Sequence, residues 1–155
     1  MNRRNACLAL SFFIASAILA ADNPRVGAWK LNLKKSAYTP ASAKPTTPTT
    51  LRIEAVGSGE RMTVNGSSEG KPLTYSYTAT ADGKTFPTPG SPYGDMGTIK
   101  TIDAQTTEMV YTRNGKVSRT ARRTVSVDGK TLTIEATGMN AKGEKYQSTA
   151  MFDRQ

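Results

Sequence analysis

The side chains on which most enzyme mechanisms depend are scarce in this sequence. It contains no histidine, and its single cysteine, Cys7, lies close to the N-terminus. Histidine-based triads, cysteine nucleophiles and most zinc, copper and haem sites therefore lack their usual residues. Paired carboxylates or a Ser–Lys dyad remain as catalytic options, but no spacing of the acidic residues singles out such a pair. We predict a protein without enzymatic activity, metal or cofactor.

Arg119 and Arg123 lie in an unusually long strand-like run, 116–127, and bring binding chemistry instead. They share the alternating phase of four apolar residues, Val117, Ala121, Val125 and Val127. A guanidinium on an apolar strand face costs free energy unless it meets an anion or a carboxylate. We therefore hypothesise that Arg119 or Arg123 holds the acidic head of an apolar ligand inside the fold. The aromatic residues that would line the same cavity are Tyr75, Tyr77, Tyr111 and Phe152.

Each part of this hypothesis has a plainer alternative. A β-bulge within 116–127 would reverse the phase and place one or both arginines in solvent. The four aromatic residues would equally serve as ordinary core packing. The sequence alone leaves these alternatives open.

The elements that would position these residues are β-strands. Nearly every segment after residue 50 alternates apolar and polar residues with a period of two, which is typical of a strand with one buried face. No segment after residue 21 carries the apolar stripe of an amphipathic helix. We predict an all-β fold of about ten strands: 26–32, 50–56, 60–65, 72–80, 84–87, 96–102, 106–113, 116–127, 130–137 and 144–152.

Short turns connect most of these strands. Four dipeptides suit the positive φ of two-residue hairpin turns: Asn65-Gly66, Asp82-Gly83, Asn114-Gly115 and Asp128-Gly129. Consecutive strands joined in this way form an antiparallel meander, and closing the meander into a barrel removes its unpaired edges. The Pro-rich segments 36–50 and 86–97 interrupt the pattern and are predicted to be extended surface connections, either plain connectors or covers of a ligand site.

Gly27-Ala28-Trp29 opens the first strand and resembles the Gly-x-Trp signature of lipocalins and fatty-acid-binding proteins, the calycin group. The resemblance implies a barrel in which Trp29 closes one end and Gly27 allows close backbone approach. Residues 149–154 resemble the closing strand of the fatty-acid-binding family, whose inward Arg-x-Tyr pair holds a carboxylate. Ala150 and Phe152 occupy those two positions, so the clamp is absent. The family's two-helix lid is also absent, because the Pro-rich segment 36–50 cannot form it.

A second resemblance covers nearly the whole mature chain. The segments GAWKLNLKKS at 27–36, DGKTFP at 82–87, DGKTLTIEATG at 128–138 and the ending FDRQ resemble a group of small exported bacterial proteins of unknown function. It implies export and a β-barrel but no activity.

The first 21 residues have the layout of a secretory signal peptide. Arg3 and Arg4 precede an uncharged run, Ala6 to Ala20, and small residues end it before Asp22. The run is shorter than the roughly 20 residues of a membrane-spanning helix, although an uncleaved N-terminal anchor is the alternative. We predict cleavage within 19–22, loss of Cys7, and one domain, 22–155, in the periplasm or outside the cell without a stable membrane span.

The mature domain is basic. Removing Arg3 and Arg4 from the formal charge of +9 leaves +7. The sequence has no dense basic run with interleaved aromatic residues, so we predict that nucleic acid is not a partner. We predict a monomeric, lipocalin-like binding protein for a small apolar or amphiphilic, acidic ligand. The alternative is a filled β-barrel that contacts anionic envelope polymers or a protein partner.

Overall fold

The computed structural model describes residues 23–155 except Glu69 and Ala141. The predicted signal peptide, 1–21, and Cys7 lie outside this range, so cleavage and the domain boundary at residue 22 stay predictions. Within the described range, no helix has the length and apolar character needed to cross a membrane.

The described chain is built almost entirely of strands, as the period-two alternation predicts. All ten predicted strands are present, and a short additional strand lies within the Pro-rich segment 36–50, followed by one turn of 3-10 helix at Ala41–Ala43. The strands are β1 (Gly27–Leu31), β2 (Ala37–Thr39), β3 (Thr50–Val56), β4 (Gly59–Ser68), β5 (Lys71–Ala79), β6 (Asp82–Pro87), β7 (Met96–Thr101), β8 (Thr106–Arg113), β9 (Lys116–Val125), β10 (Thr131–Met139) and β11 (Lys145–Arg154).

The strands form one antiparallel sheet that curls into a nearly closed barrel. The order is β5-β4-β3-β1-β11-β10-β9-β8-β7-β6, with β2 paired to β11. Strand β1 joins the two halves because Trp29 lies opposite Leu51 of β3 and opposite Arg154 of β11. Strands β5 and β6 end the order and are not paired with each other in the described chain. The predicted all-β meander and its closure into a calycin-like barrel are confirmed.

One of the four predicted two-residue hairpin turns is correct, and a second dipeptide, Asp128-Gly129, lies in a longer hairpin connection of five residues, 126–130. Asn114 and Gly115 have φ of 51° and 75° and connect β8 to β9, the positive values that a tight hairpin requires. In the connection between β9 and β10, Gly129 has φ of 70°, and its N–H donates to the carbonyl of Ser126 at 2.8 Å.

The other two turn predictions are wrong. Asn65-Gly66 lies inside β4, where Gly66 pairs with Leu73 of β5. Glycine is needed there for space, since a Cβ would lie 2.6 Å from Oγ1 of Thr49. Asp82-Gly83 begins β6 at a register shift, and β5 is not its hairpin partner. Gly66 therefore allows the close approach of Thr49, and Asp82-Gly83 lies at an irregularity of β6.

Trp29 closes the barrel at the end that carries the 126–130 turn, which we call the closed end. Its side chain is fully buried, and the indole N–H donates to the carbonyl of Arg25 at 2.9 Å. The guanidinium carbon of Arg154 lies 4.1 Å from the centre of the indole ring. Arg154 also donates to the carbonyls of Pro24 at 2.7 Å and Val26 at 2.8 Å. The cation thus fastens the N-terminal segment across β11.

Gly27 makes this closure possible. Its φ is 145°, and a Cβ at this position would lie 2.5 Å from Nη1 of Arg154. We predict that Gly27→Ala lowers the free energy of unfolding by about 2–4 kcal/mol through backbone strain and the displaced guanidinium. Urea unfolding measures the loss. Gly57→Ala is the matched control, because Gly57 also has positive φ but no atom within 4 Å of a Cβ, and it should cost only about 1 kcal/mol. Equal losses in the two variants would contradict the close-approach role.

Candidate functional site

A β-bulge in β9 decides which way the two arginines point. Tyr111 pairs with Arg119 and Thr112 with Val117, so Ser118 is an extra residue without a partner. The bulge turns Val117 outward, where it is 58% exposed, and leaves Arg119 and Arg123 facing the interior. The predicted inward phase of Val117 is therefore wrong. It is also wrong for Val127, which lies beyond the end of β9 and is 92% exposed.

Arg123 is buried in the lower half of the barrel, and a hydrogen-bond acceptor meets each of its nitrogens. Its Nη2 lies 2.5 Å from Oε1 of Glu60, its Nε donates to Oγ1 of Thr107 at 3.1 Å, and its Nη1 lies 3.4 Å from the sulfur of Met62. The side chain is fully excluded from solvent. Arg123 is thus a paired cation, and each of its three nitrogens has an acceptor within the fold.

Glu60 holds two cations at the base of the barrel. The carboxylate contacts Arg123 through Oε1. Its Oε2 lies 3.2 Å from Nε of Arg25 and 3.4 Å from the side-chain nitrogen, Nδ2, of Asn23. Burial alone would raise the pKa of the Glu60 carboxyl, but the guanidinium of Arg123 and then that of Arg25 hold this pKa below its ordinary value of 4.5. The carboxylate therefore stays ionised and ties the N-terminal segment and β9 to β4.

Arg119 has a different environment from Arg123. Its guanidinium carbon lies 3.7 Å from the ring centre of Tyr93 and 5.8 Å from that of Tyr111. The Nε is buried and has no hydrogen-bond partner among the described residues. None of the salt bridges formed within the described chain involves Arg119. It is a cation supported by aromatic faces rather than neutralised by a carboxylate.

The bulge residue also positions the aromatic support of Arg119. The hydroxyl of Ser118 lies 2.5 Å from the carbonyl oxygen of Tyr93 and 3.2 Å from that of Tyr111. Nη2 of Arg113 donates to the carbonyl of Pro92 at 2.5 Å. These bonds fasten the connection 88–95 to β8 and β9, so the ring of Tyr93 is held against Arg119.

A cavity of about 770 Å³ occupies the upper part of the barrel. It opens at the end opposite Trp29, which we call the mouth and which carries the β4–β5, β8–β9 and β10–β11 turns. Five of the six residues predicted from the sequence to bind a ligand line it: Arg119, Arg123, Tyr75, Tyr111 and Phe152. Tyr77 does not. Its ring packs 5.1 Å from that of Phe86, and its hydroxyl lies 3.5 Å from the sulfur of Met62, as in ordinary core packing.

Several residues of the site carry no signal in the sequence. Tyr38 of β2, Tyr93 of the 88–95 connection and Tyr146 of β11 line the cavity, yet each lies in a loop or close to a strand end. Burial raises the pKa of both Tyr38 and Tyr146 to about 12, so both phenols are neutral near pH 7. Glu60 was also missed, since it follows Gly59 at the start of β4 and has the sequence context of a turn.

The Pro-rich segment 36–50 covers part of the mouth. Pro40, Ala43 and Pro45 border the cavity, and β2 anchors the segment by pairing Tyr38 with Ser148 of β11. Of the two sequence-based alternatives for this segment, the structure supports a cover of the cavity. The described residues contain no group of three His, Cys, Asp or Glu side chains placed to hold a metal ion.

Solved structures with the same architecture are known. No protein-family model matches the chain, and a search of curated proteins finds no match. A fatty acid transporter, REP1-NXSQ, superposes with a TM-score of 0.56 at 14% identity over 84% of this chain and 95% of that one. Zebrafish ileal bile acid-binding protein in complex with cholic acid superposes with a TM-score of 0.56 at 11% identity, over 85% of this chain and 99% of that one. A fatty acid binding protein from Schistosoma mansoni in complex with arachidonic acid superposes with a TM-score of 0.57 at 15% identity, over 85% of this chain and 96% of that one. The chain has the calycin-like barrel fold.

The buried carboxylate yields a test by mutation. We predict that Glu60→Gln lowers the free energy of unfolding by about 3–5 kcal/mol at pH 7, because it leaves two buried guanidiniums without an anion. The folded-state pKa of Glu60 lies below the ordinary value of 4.5. The contribution of the Glu60 carboxylate to the free energy of unfolding is therefore complete above pH 4.5 and is lost as the pH falls through the folded-state pKa. Urea unfolding at several pH values should show the two proteins converging in acid.

Glu54→Gln is the control for this experiment. Glu54 pairs with Arg52 at 3.1 Å, but both side chains are solvent-exposed, so the loss should stay below about 1 kcal/mol. A Glu60→Gln protein as stable as the wild type at pH 7 would show that the buried pair does not hold the barrel base.

Proposed function

We propose that this protein is an exported, monomeric, non-enzymatic binding protein for a small amphiphilic molecule with an acidic group. The observation that carries the proposal is Arg119, a guanidinium that borders a large interior cavity without a carboxylate partner in the described chain. A cation held there favours an anionic ligand group because the low-polarity surroundings strengthen the attraction.

The size and lining of the cavity support a small-molecule site. Its volume of about 770 Å³ falls within the range of roughly 300–1,000 Å³ that such sites have. Apolar side chains make up its lower wall, among them Leu51, Met62, Val64, Met109 and Ile134. A barrel with this interior is not filled by its own side chains, so we prefer ligand binding to the alternative of a filled interaction module.

The charges around the cavity favour an acid over a neutral ligand. Among the described residues, five cations border it, Lys44, Arg113, Arg119, Arg123 and Lys145, against one carboxylate, Glu144. Glu60 compensates Arg123 from below, but the other cations leave the mouth electropositive. Such a field attracts anions and raises their local concentration.

The similar structures support the same class of ligand. These are a fatty acid transporter, a bile acid-binding protein and a fatty acid binding protein, and fatty and bile acids are amphiphilic acids. The Arg-x-Tyr clamp of that family is replaced here by Ala150 and Phe152, so the acidic group would need another cation.

Export is proposed from the N-terminal sequence. We predict that protein recovered from outside the cytoplasm of its host lacks about 21 residues and does not react with a thiol reagent, because Cys7 has been removed with the signal peptide. Intact-mass spectrometry before and after alkylation measures both properties. A full-length or alkylated protein would contradict the prediction of cleavage.

Ligand binding can be tested by filling the cavity. We predict that delipidated protein binds a fluorescent fatty acid saturably and that Ala121→Trp weakens this binding at least about tenfold, since the indole would occupy the space where a ligand lies. Ala121 is buried and lines the cavity. Fluorescence titration measures both affinities, with circular dichroism as the check on folding.

Thr120→Trp is the matched control. Thr120 is the neighbouring residue of β9, but its side chain is on the exposed outer face, so binding should not change. Absence of saturable binding by the wild type, or equal binding by both tryptophan variants, would overturn the proposed cavity function.

A further inference from the structure

Two buried polar atoms at the mouth have no hydrogen-bond partner among the described residues: Nε of Arg119 and the hydroxyl oxygen of Tyr146. They lie on β9 and β11, on either side of β10, and both residues are opposite Gly138 in the strand register. A buried donor without an acceptor costs about 1–3 kcal/mol. A ligand oxygen placed between β9 and β11 at this level would supply the acceptor that each donor lacks.

Gly138 creates the space for this arrangement. A Cβ there would lie 2.6 Å from the carbonyl oxygen of Ser118 and 3.0 Å from the hydroxyl of Tyr146. Because glycine has no side chain, the phenol of Tyr146 extends across β10 toward β9. Arg119, Gly138 and Tyr146 also border a shallower outer pocket of about 510 Å³, so the wall between this pocket and the cavity is thin at Gly138.

The chemistry of the two donors fits an oxyanion. The guanidinium of Arg119 is fixed against Tyr93 at 3.7 Å, and arginine presents several N–H groups in a planar fork that matches a carboxylate. The phenol of Tyr146 carries its proton near pH 7, as an ordinary tyrosine does, and burial raises its pKa further, to about 12. It therefore donates rather than repels. The hydroxyl adds a neutral donor beside the charged one.

Arg123 does not compete for this role. Glu60, Thr107 and Met62 already meet its nitrogens. An acidic head group placed beside Arg123 would also approach the carboxylate of Glu60, and two anions in a buried site repel each other.

We infer that the ligand binds with its carboxylate at the mouth, between Arg119 and Tyr146, and with its apolar tail directed toward the closed end. This inference rests on the proposed function and specifies the ligand class and its orientation. Along β9 the cavity wall extends from Arg119 down to Arg123, which corresponds to about 13 Å of strand. Buried Ala121, Met109 and Phe152 line the way, so a long acyl chain meets apolar side chains below its head.

Trp29 reports the orientation directly, because it is the single tryptophan of the chain and lies buried at the closed end. We expect a fatty acid with a nitroxide near its methyl end to quench Trp29 fluorescence more strongly than one labelled near its carboxyl group. The comparison is made at saturating ligand, with the methyl ester of each probe as a control. Equal quenching, or stronger quenching by the carboxyl-proximal label, would overturn the inferred orientation.

Affinity measurements test the two donors. We expect the wild type to bind a long-chain fatty acid at least about tenfold more tightly than the alcohol of equal length, as for a hydrogen bond to a charged group. Arg119→Gln should abolish this preference and Tyr146→Phe should reduce it roughly threefold or more. The affinity for the alcohol should fall by less than that for the acid in both variants, because its uncharged oxygen loses only a neutral hydrogen bond, and circular dichroism of each variant checks that the fold is retained.

Arg122→Gln is the matched control, because Arg122 lies on the same strand with its side chain exposed on the outer face, and the preference should survive. A preference for the acid that persists in Arg119→Gln would overturn the head-group site while leaving the cavity function intact. Failure of both acid and alcohol to bind the wild type would instead reject the proposed function itself.

Discussion

The carboxylate of Glu60 is the constraint on which the interior of this barrel depends. It pairs with Arg123 in the core and with Arg25 in the N-terminal segment, so each buried guanidinium has an anionic partner and the cluster keeps a single net positive charge. The same pairing separates the roles of the two inward arginines. Arg123 forms a salt bridge within the fold. Arg119, four residues earlier in β9, borders the cavity without a carboxylate partner in the described chain. A barrel with two equivalent arginines would not define where an anion binds.

Much of the fold was predictable because its causes are local. Alternation with a period of two places every second residue on the inner face, and the φ values of Asn114 and Gly115 follow from residue types that tolerate the left-handed region. Gly66 shows the limit of this reasoning. Its dipeptide has hairpin chemistry, yet the glycine serves the approach of Thr49 from a distant segment. Local propensity cannot distinguish a glycine required for conformation from one required for space.

The site was less predictable because it depends on register between distant strands. Glu60 and Arg123 are 63 positions apart, and no pattern in either strand indicates their pairing. A bulge within 116–127 could expose either arginine, but the bulge at Ser118 exposes Val117 instead, because the phase change falls before Arg119 rather than after it. Tyr146 reaches the site only through a glycine on the neighbouring strand. Such details are set by packing, which a one-dimensional pattern does not record.

The fastening of Arg154 to the N-terminal segment has a consequence for the order of assembly. Its bond to Val26 spans 128 positions, and β1 completes its pairing only when β11 is present. The closed end therefore cannot form on a growing chain until that strand has been synthesised, and contacts of such separation form slowly. Until β11 is present, the edge of β1 that faces it stays unpaired, so the barrel closes last at this seam.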